Sequence, residues 1–204
     1  MKSQELEHPL IAITGPMGVG KTTVARLVAA EFGFCLLEEH PEKNPFVANA
    51  THDPERWAFD SEVSFLILKL QQNKEAQKIR LTQGVIQDTP IEQDVFSYGR
   101  AKLHGGEWKL FYELYKALKP QFMKPSLIVC LEAHTLEVIR RIRERDRNYE
   151  GEIQPEYIEQ LSRLNLAWVR KSGIPTEYIP TDHLNIVGDP AAQQRMMDKI
   201  RKRL

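Results

Sequence analysis

The chain has 204 residues, of which 42% are hydrophobic and 27% are charged, as in an ordinary globular protein with one sizeable core. Its 28 basic and 28 acidic residues cancel, which argues against a general binder of nucleic-acid polymers or membrane surfaces, because such proteins carry a basic excess. The N-terminal MKSQELEHPL lacks the apolar segment of a signal peptide, and no apolar run is long enough to span a membrane. We therefore expect a cytoplasmic protein that folds as a single domain over residues 1–204.

Short β-rich runs alternate with longer helical patterns along the chain. We predict strands at about 10–14, 34–37, 84–87, 126–131 and 177–180, with helices between them. The runs LIAIT and SLIVCL are apolar almost throughout, as strands buried on both faces are. Because parallel neighbours need crossover connections, the alternation predicts an α/β fold with a mostly parallel sheet and helices on both faces.

Three segments have the spacing of amphipathic helices. The longest starts at the Asp53-Pro54 pair, a good helix entry, and the other two cover 107–119 and 155–171. The long helix is predicted to bury one apolar face, formed by Trp57, Phe59, Val63, Leu66, Leu70 and Ile79. The looser stretches 40–52, 99–106 and 147–154 are predicted to be loops. Both cysteines, Cys35 and Cys130, lie in strand-like runs and are expected to be buried, reduced thiols.

The first strand-to-helix connection carries a phosphate-binding motif, since GPMGVGKT fits G-x-x-x-x-G-K-[ST]. Its glycines let several backbone N–H groups point inward, and the following helix N-terminus adds partial positive charge. Lys21 would reach the β- and γ-phosphates, and the Thr22 hydroxyl would ligate Mg²⁺. We therefore predict that ATP, or another nucleoside triphosphate, is bound with Mg²⁺ by Gly15, Met17, Gly18, Val19, Gly20, Lys21, Thr22 and Thr23.

Carboxylates follow two of the other predicted strands. Glu38 and Glu39 come directly after the second strand, and Asp88 ends the third. The carboxyl ends of parallel strands share one edge of the sheet, where ligands of doubly wound folds bind. One of these acids could orient and deprotonate an acceptor hydroxyl while another supports Mg²⁺. The chain also lacks the Asn-Lys-x-Asp guanine reader of a GTPase, so the pattern favours a small kinase.

An arginine-rich segment, VIRRIRERDRNYE, covers residues 138–150. Arg141 and Arg145 share one face of a predicted helix, and Arg147 follows just beyond it. Guanidinium groups stabilise the charge that spreads over a phosphoryl group during its transfer. In a neutral protein with a phosphate-binding loop, this segment is predicted to form a basic lid.

Together these motifs resemble the deoxynucleoside kinases, a family that includes bacterial deoxyguanosine and deoxyadenosine kinases. The resemblance spans nearly the whole chain and rests on GPMGVGKTT, LLEEHPEKNPF, DPERWAF, the strand end QD followed by QDVF, RIRERDRNYE and EYIEQL. It implies a three-layer P-loop kinase fold with a five-stranded parallel sheet, an Arg-rich lid at about 143–155 and a helical homodimer interface. It also implies nucleoside salvage, in which ATP with Mg²⁺ phosphorylates the 5′-hydroxyl of a small-molecule nucleoside.

On the catalytic side, the resemblance makes Glu39 the base beside the 5′-hydroxyl and Asp88 the carboxylate on the Mg²⁺ side. Lys21 would hold the phosphates, as its own motif already predicts. The lid would bring three arginines to the transferring group: Arg141, Arg145 and Arg147.

On the acceptor side, the resemblance implies that the rings of Trp57 and Phe96 help to wall the nucleoside base. The polar edge of the base would face Glu62, Lys69 and Asp94, and Glu150 would approach the 3′-hydroxyl of the sugar. Glu62 stands where many members carry Gln, and a carboxylate only accepts hydrogen bonds. Guanine offers its N1–H and N2–H₂ donors to the Glu62 carboxylate, and Lys69 could donate to guanine O6. Adenine N1 is itself an acceptor and would face the acceptor oxygens of Glu62. Guanine-type purines are therefore favoured, unless Glu62 only pairs with Lys69 or an arginine.

Two positions depart from the family pattern. Thr51 stands where a tyrosine usually binds the 3′-hydroxyl, and Asp88-Thr89-Pro90 replaces the usual Asp/Glu-Arg-Ser. That arginine clamps the catalytic acid, so its loss is expected to leave Lys21 and the lid as the sources of positive charge. Two alternatives stay open: a nucleoside monophosphate kinase of the thymidylate type, and a catalytically silent nucleotide-binding subunit.

Overall fold

A five-stranded sheet forms the centre of the computed structural model, which describes residues 8–145, 153–182 and 188–204. The strand order is β2-β3-β1-β4-β5, and every neighbouring pair is parallel. The strands are β1 (Leu10–Thr14), β2 (Cys35–Leu37), β3 (Val85–Asp88), β4 (Leu127–Glu132) and β5 (Thr176–Pro180). The predicted strands agree with these to within one residue at each end.

Helices connect the strands and cover the sheet. The longer ones are α1 (Lys21–Phe32), α3 (Pro54–Ile79), α6 (Gly105–Leu118), α7 (Thr135–Arg145), α8 (Pro155–Lys171) and α9 (Pro190–Arg201). The shorter ones are α2 (Val47–His52), α4 (Ile91–Gln93) and α5 (Arg100–Lys102), with 3₁₀ turns at Pro41–Lys43 and Lys119–Gln121. Within the part of the chain that the structure describes, no helix has the length and apolar character to cross a membrane.

The alternating side chains of β1 bury both faces of the sheet. Ile11 and Ile13 pack in one cluster with residues of α1 and α9, whereas Ala12 packs with Trp168 of α8 and Leu10 with Ala76 of α3. A strand covered in this way is apolar at nearly every position. The predicted three-layer α/β fold is therefore confirmed.

The long helix α3 begins as predicted, because the Asp53 side chain caps it by accepting from the Arg56 N–H at 3.2 Å. The prediction for its buried face was only partly right. The buried positions, which recur every three or four residues, are Ala58, Ser61, Glu62, Leu66, Lys69, Asn73 and Ala76. Of the predicted apolar face, Leu66 is buried and the others are only partly covered. Four of these positions carry polar side chains, among them the long side chains of Glu62 and Lys69, and an apolar pattern cannot reveal them.

The structure corrects three further expectations. The predicted loops 40–52 and 99–106 contain α2 and α5, and a π-helical turn at Asp94–Gly99 has no signal in the apolar pattern. Both cysteines are free, but Cys35 is only partly buried because it starts the edge strand β2. Cys130 lies in the core, where burial raises the pKa of its thiol to about 12.

Candidate functional site

The register of the sheet brings the predicted phosphate-binding loop and the acidic strand ends together. Ile13 of β1 pairs with Asp88 of β3, and Leu37 of β2 pairs with Gln87. The loop leaves β1 directly after Thr14, so it lies beside Asp88, and the residues that follow Leu37 lie one strand further along the same edge. This carboxyl edge of the sheet is the candidate active site.

The phosphate-binding loop has a backbone that its glycines permit. Gly15 has φ 146°, and a Cβ atom there would lie 2.6 Å from the Leu131 carbonyl oxygen. Gly18 has φ 77°, and its Cβ would lie 2.6 Å from Ile142. The Lys21 ammonium donates to the carbonyls of Gly15 and Pro16, at 3.0 and 3.1 Å. A cation thus lies inside a loop whose following helix, α1, points its N-terminus at the same space.

Gln93, which sequence reasoning missed, holds the first glycine of the loop. Its side-chain amide donates to the Gly15 carbonyl at 2.5 Å, and its Oε1 accepts from the Gly15 N–H at 3.2 Å. The same Oε1 lies 2.6 Å from the Thr14 hydroxyl, which is also 2.7 Å from Oδ1 of Asn165 on α8. The loop is therefore fastened to α4 and α8 by buried side chains.

Thr22 and Asp88, the residues predicted to hold the metal, contact each other. The Thr22 hydroxyl donates to Asp88 Oδ2 at 2.6 Å, and Asp88 Oδ1 is buried without a hydrogen-bond partner among the described residues. Burial raises the pKa of Asp88, while the nearby charge of Lys21 works to lower it. A hydroxyl and a buried carboxylate oxygen without a partner suit a small, hard cation with oxygen ligands such as Mg²⁺. The residues present therefore fit the predicted ion.

The two acids after β2 have different environments. Glu38 accepts two hydrogen bonds from Arg26 of α1, at 2.6 and 2.8 Å, on an exposed surface. This guanidinium lowers the pKa of the Glu38 carboxyl. Glu39 lies 3.1 Å from the ammonium of Lys69, and its negative charge helps to raise the pKa of both Asp88 and Asp94. Of the two acids, Glu39 is the one that lies close to Lys69, Asp88 and Asp94.

Lys69 does not occupy the predicted position beside Glu62. Its ammonium donates to the carbonyls of Thr89 and Asp88 at 2.5 and 3.3 Å and is paired with Glu39. Burial lowers the pKa of Lys69, but the charges of Glu39, Asp94 and Asp88 outweigh it and raise the pKa overall. Glu62 and Lys69 lie seven positions apart on α3, about 10 Å along the helix axis, so the two side chains reach different regions.

Glu62 pairs instead with Lys102 of α5. The Lys102 ammonium lies 2.8 Å from Glu62 Oε1, and the Glu62 side chain is only 1% exposed. Glu62 Oε2 and Asp94 Oδ2 are both buried without a hydrogen-bond partner in the described ranges. Burial raises the pKa of Asp94 well above its ordinary value, Lys69 opposes this, and Glu39 and Glu62 raise it further. Buried polar atoms rarely stay unpaired, so these two oxygens indicate a ligand with hydrogen-bonding groups.

The predicted aromatic walls are only partly brought together. Trp57 stacks on Phe46 with ring centroids 5.9 Å apart. Phe96 packs edge-on against Tyr115, at 5.7 Å, on the side of α6. Tyr98 is an aromatic side chain near the acids, and the pKa of its hydroxyl is raised by burial and then by the charge of Glu39. Phe96 and Tyr98 both lie in the π-helical turn Asp94–Gly99. A π-helix is wound more widely than an α-helix, so a different set of residues faces the site, and a regular helical pattern does not predict that set.

Arg141 is the one predicted lid arginine whose side chain is described. Its guanidinium donates to the carbonyl of Thr181 at 2.6 Å and to the carbonyl of Val19 at 3.3 Å. It therefore ties α7 to the phosphate-binding loop and to the end of β5. Arg145 is the last residue of α7, and Arg147 and Glu150 lie outside the described residues, as does much of the predicted lid.

Thr89 has a strained backbone directly after β3. Its φ is 66°, in the left-handed region that β-branched residues avoid. Its hydroxyl is buried without a hydrogen-bond partner among the described residues, while its carbonyl accepts from Lys69. The strained conformation therefore directs the Thr89 carbonyl towards the Lys69 ammonium.

We expect Thr89→Gly to be more stable than Thr89→Ala. Both changes remove the unpaired hydroxyl, but only glycine adopts positive φ without steric cost. The difference in the free energy of unfolding should be about 1 kcal/mol in favour of glycine. Urea denaturation of the two variants measures it, and a Thr89→Ala variant as stable as Thr89→Gly would show that the backbone is unstrained there.

Comparison with known proteins identifies the family. The family model described as "Deoxynucleoside kinase" matches residues 11–204. Deoxyguanosine kinase of Bacillus subtilis (strain 168) is 32% identical over 155 residues, which cover 75% of this chain and 74% of that protein. Deoxyadenosine/deoxycytidine kinase of the same organism is 24% identical over 204 residues, covering 95% of this chain and 92% of that one.

Solved structures agree with the fold. Deoxyadenosine kinase from M. mycoides, with the products dCMP and a flexible dCDP bound, superposes with a TM-score of 0.81 at 21% identity. The match covers 95% of this chain and 99% of that one. The parallel sheet and the match to this solved structure confirm the predicted fold. The family model and the curated relatives confirm the predicted enzyme class. The chain belongs to the deoxynucleoside kinase family, and it is a phosphotransferase.

Proposed function

We propose that this protein transfers the γ-phosphoryl group of ATP to the 5′-hydroxyl of a deoxynucleoside, with Glu39 as the base. The observation that carries the proposal is the convergence at one sheet edge of Lys21, the Thr22–Asp88 pair and Glu39. These are the parts that phosphoryl transfer requires: a cationic phosphate cradle, oxygen ligands for a metal, and a carboxylate for the acceptor hydroxyl.

In the proposed reaction, Glu39 accepts the proton of the 5′-hydroxyl. The hydroxyl oxygen forms a bond to the γ-phosphorus, the bond from that phosphorus to the β–γ bridging oxygen breaks, and ADP leaves. Lys21 and the loop N–H groups hold the β- and γ-phosphates in line with the acceptor. Thr22 and Asp88 would hold Mg²⁺, which neutralises charge on the phosphate oxygens. Arg141, with Arg145 and Arg147 of the lid, would add guanidinium groups to the donor side.

The acceptor base is proposed to be a guanine-type purine. Glu62 Oε2 is a buried acceptor that needs a donor, and the N1–H or N2–H₂ group of guanine supplies one, while Asp94 Oδ2 is a second buried polar atom without a hydrogen-bond partner among the described residues. Lys102, rather than Lys69, is the cation next to Glu62 and could donate to guanine O6. Adenine would place its N1 lone pair against a carboxylate oxygen. Tyr98 and Trp57 are proposed to contact the base.

We expect Glu62→Gln to reduce the preference for deoxyguanosine over deoxyadenosine by about tenfold. The amide can donate to adenine N1, which the carboxylate cannot do. The measurement is the ratio of kcat/KM for the two nucleosides. Glu55→Gln, an exposed change on the same helix, is the control. An unchanged ratio in Glu62→Gln would mean that Glu62 only balances the charge of Lys102.

The proposed function is tested by ADP release from ATP with Mg²⁺ in the presence of common nucleosides, deoxynucleosides and their monophosphates. Lys21→Ala serves as the blank. Turnover with a deoxynucleoside, strongest with deoxyguanosine, would support the proposal. Turnover with a monophosphate but not with its parent nucleoside would favour the monophosphate kinase instead. ATP binding without turnover on any acceptor would favour a silent nucleotide-binding subunit.

We also propose that the protein is a homodimer. Helix α6 leaves Leu110 and Leu114 exposed, at 54% and 38% of their surface, beside a groove with aromatic walls that include Trp108 and Tyr112. A second copy covering this face would remove apolar surface from water. Light scattering in solution measures the mass, and a monomer at micromolar concentration would contradict the dimer.

Action in the cytoplasm, in nucleoside salvage, is proposed on chemical grounds. The reaction consumes ATP, and the free thiols of Cys35 and Cys130 suit a reducing compartment. Cell fractionation with an antibody to the protein tests the location.

A further inference from the structure

Lys69 is a buried cation held between two strand ends. Its side chain is only 4% exposed, and its ammonium has three oxygen partners: Glu39 Oε1 at 3.1 Å, the Thr89 carbonyl at 2.5 Å and the Asp88 carbonyl at 3.3 Å. An ammonium has three hydrogens to donate, so these partners can satisfy it completely. A buried charge is tolerated only when it is compensated in this way.

We propose that Lys69 is the positioning residue of Glu39, holding one carboxylate oxygen so that the other is presented to the acceptor hydroxyl. The inference rests on the proposed function, in which Glu39 is the base. A free glutamate side chain samples several rotamers, and a base works best when it is already oriented towards the proton that it accepts. Lys69 supplies that orientation because its own position is set by backbone atoms.

The backbone partners make Lys69 a rigid anchor. The Asp88 and Thr89 carbonyls belong to the end of β3, whose register with β1 is set by the sheet. The left-handed conformation of Thr89, with φ 66°, accompanies the shortest of the three contacts. The segment Asp88-Thr89-Pro90 carries no basic side chain of its own. The cation beside Glu39 therefore comes from α3, packed against the sheet, and connects the end of β3 with the residue after β2.

The same contacts disfavour a direct role in binding the base. The three ammonium hydrogens have protein partners, and the side chain has almost no exposed surface. Glu62 is paired with Lys102 and is not a partner of Lys69. A group that binds substrate changes KM when it is removed, whereas a group that orients the base changes kcat. The two roles are therefore separable by kinetics.

A double-mutant cycle between Lys69 and Glu39 tests the proposal. The four proteins are wild type, Lys69→Met, Glu39→Gln and the double variant, assayed with deoxyguanosine or the nucleoside with the highest turnover. We expect Lys69→Met to lower kcat by about 10- to 100-fold, with KM for ATP and nucleoside changed less than about threefold. In the Glu39→Gln background, the same change should lower kcat by less than about twofold, because the group that Lys69 orients is already absent.

Several controls keep the result interpretable. Lys43→Met removes an exposed positive charge from the same side of the site and should leave kcat unchanged. Lys69→Arg keeps a cation and should recover part of the kcat lost in Lys69→Met. ATP affinity and circular dichroism establish that each variant is folded. If Lys69→Met does not fold, the cycle is run with Lys69→Arg, which should lower kcat in wild type but not in Glu39→Gln.

Three outcomes would overturn the proposal: an unchanged kcat in a folded Lys69→Met, an increase in nucleoside KM alone, or equal losses of kcat in both backgrounds. The last would show that Lys69 acts independently of Glu39. Wild-type kcat in Glu39→Gln would instead overturn the assignment of the base, whatever Lys69 does. The failure of the inference is thus distinguishable from failure of the function on which it rests.

Discussion

Glu39→Gln should lower kcat by about 10²- to 10⁴-fold, the usual contribution of a positioned general base. The amide has nearly the same size as the carboxylate, but it cannot accept the proton of the 5′-hydroxyl. Because the ATP site is formed by other residues, KM for ATP should change little. Steady-state kinetics with ATP and a saturating nucleoside measure the effect. Turnover near the wild-type value would remove Glu39 as the base.

Glu38→Gln is the matched control for this prediction. Glu38 is the preceding residue in the chain and carries the same carboxylate, but its partner is Arg26 on the outer surface of α1. Exposed ion pairs contribute little to stability, so this variant should keep wild-type kcat and wild-type folding. A comparable loss of kcat in both variants would mean that negative charge after β2, rather than one specific carboxylate, supports the reaction.

Lys21→Ala should lower kcat by about 10³-fold or more, because the developing charge on the phosphates loses a preorganised cation in a partly buried site. The ammonium is already held inside the loop by the Gly15 and Pro16 carbonyls, at 3.0 and 3.1 Å. Removing it should also weaken ATP binding, so KM for ATP should rise. Single-turnover assays at saturating ATP separate the two effects.

Lys199→Ala, on the exposed side of α9, is the control for Lys21→Ala and should have wild-type kinetics. The free energy of unfolding should be nearly unchanged in Lys21→Ala, since the loop is fastened by Gln93 through the backbone of Gly15. Substantial activity in a folded Lys21→Ala variant would contradict the assignment of this loop as the site of the transferred phosphate.

Local patterns predicted much of the architecture. Strands such as β1 are buried on both faces and therefore read as continuous apolar runs, and the glycines with Lys21 and Thr22 have a spacing that only a phosphate-binding loop requires. Asp53 and Pro54 marked the start of α3 because helix capping is a local interaction. The carboxyl-edge position of Asp88 followed from parallel strands alone.

The prediction was weakest for α3 and for the segment 91–102. The buried face of α3 carries Glu62 and Lys69, which are inside because partners from distant segments compensate their charges. The π-helical turn changes which residues face the site, so Tyr98 lies near Glu39 and Asp94 while Phe96 packs against Tyr115. Lys102 belongs to the short helix α5, which lies in a segment predicted to be a loop.

The sequence by itself determined the fold class, the phosphate-binding loop and the family, because each depends on short-range spacing or on motifs read along the chain. Only the tertiary structure decided the partners of the charged side chains: Glu38 with Arg26 on the surface, and Glu39 with Lys69 and Glu62 with Lys102 inside the protein. Each pair joins residues that lie 12 to 40 positions apart. A buried ion pair depends on three-dimensional packing and desolvation, and neither leaves a periodic signal in the sequence.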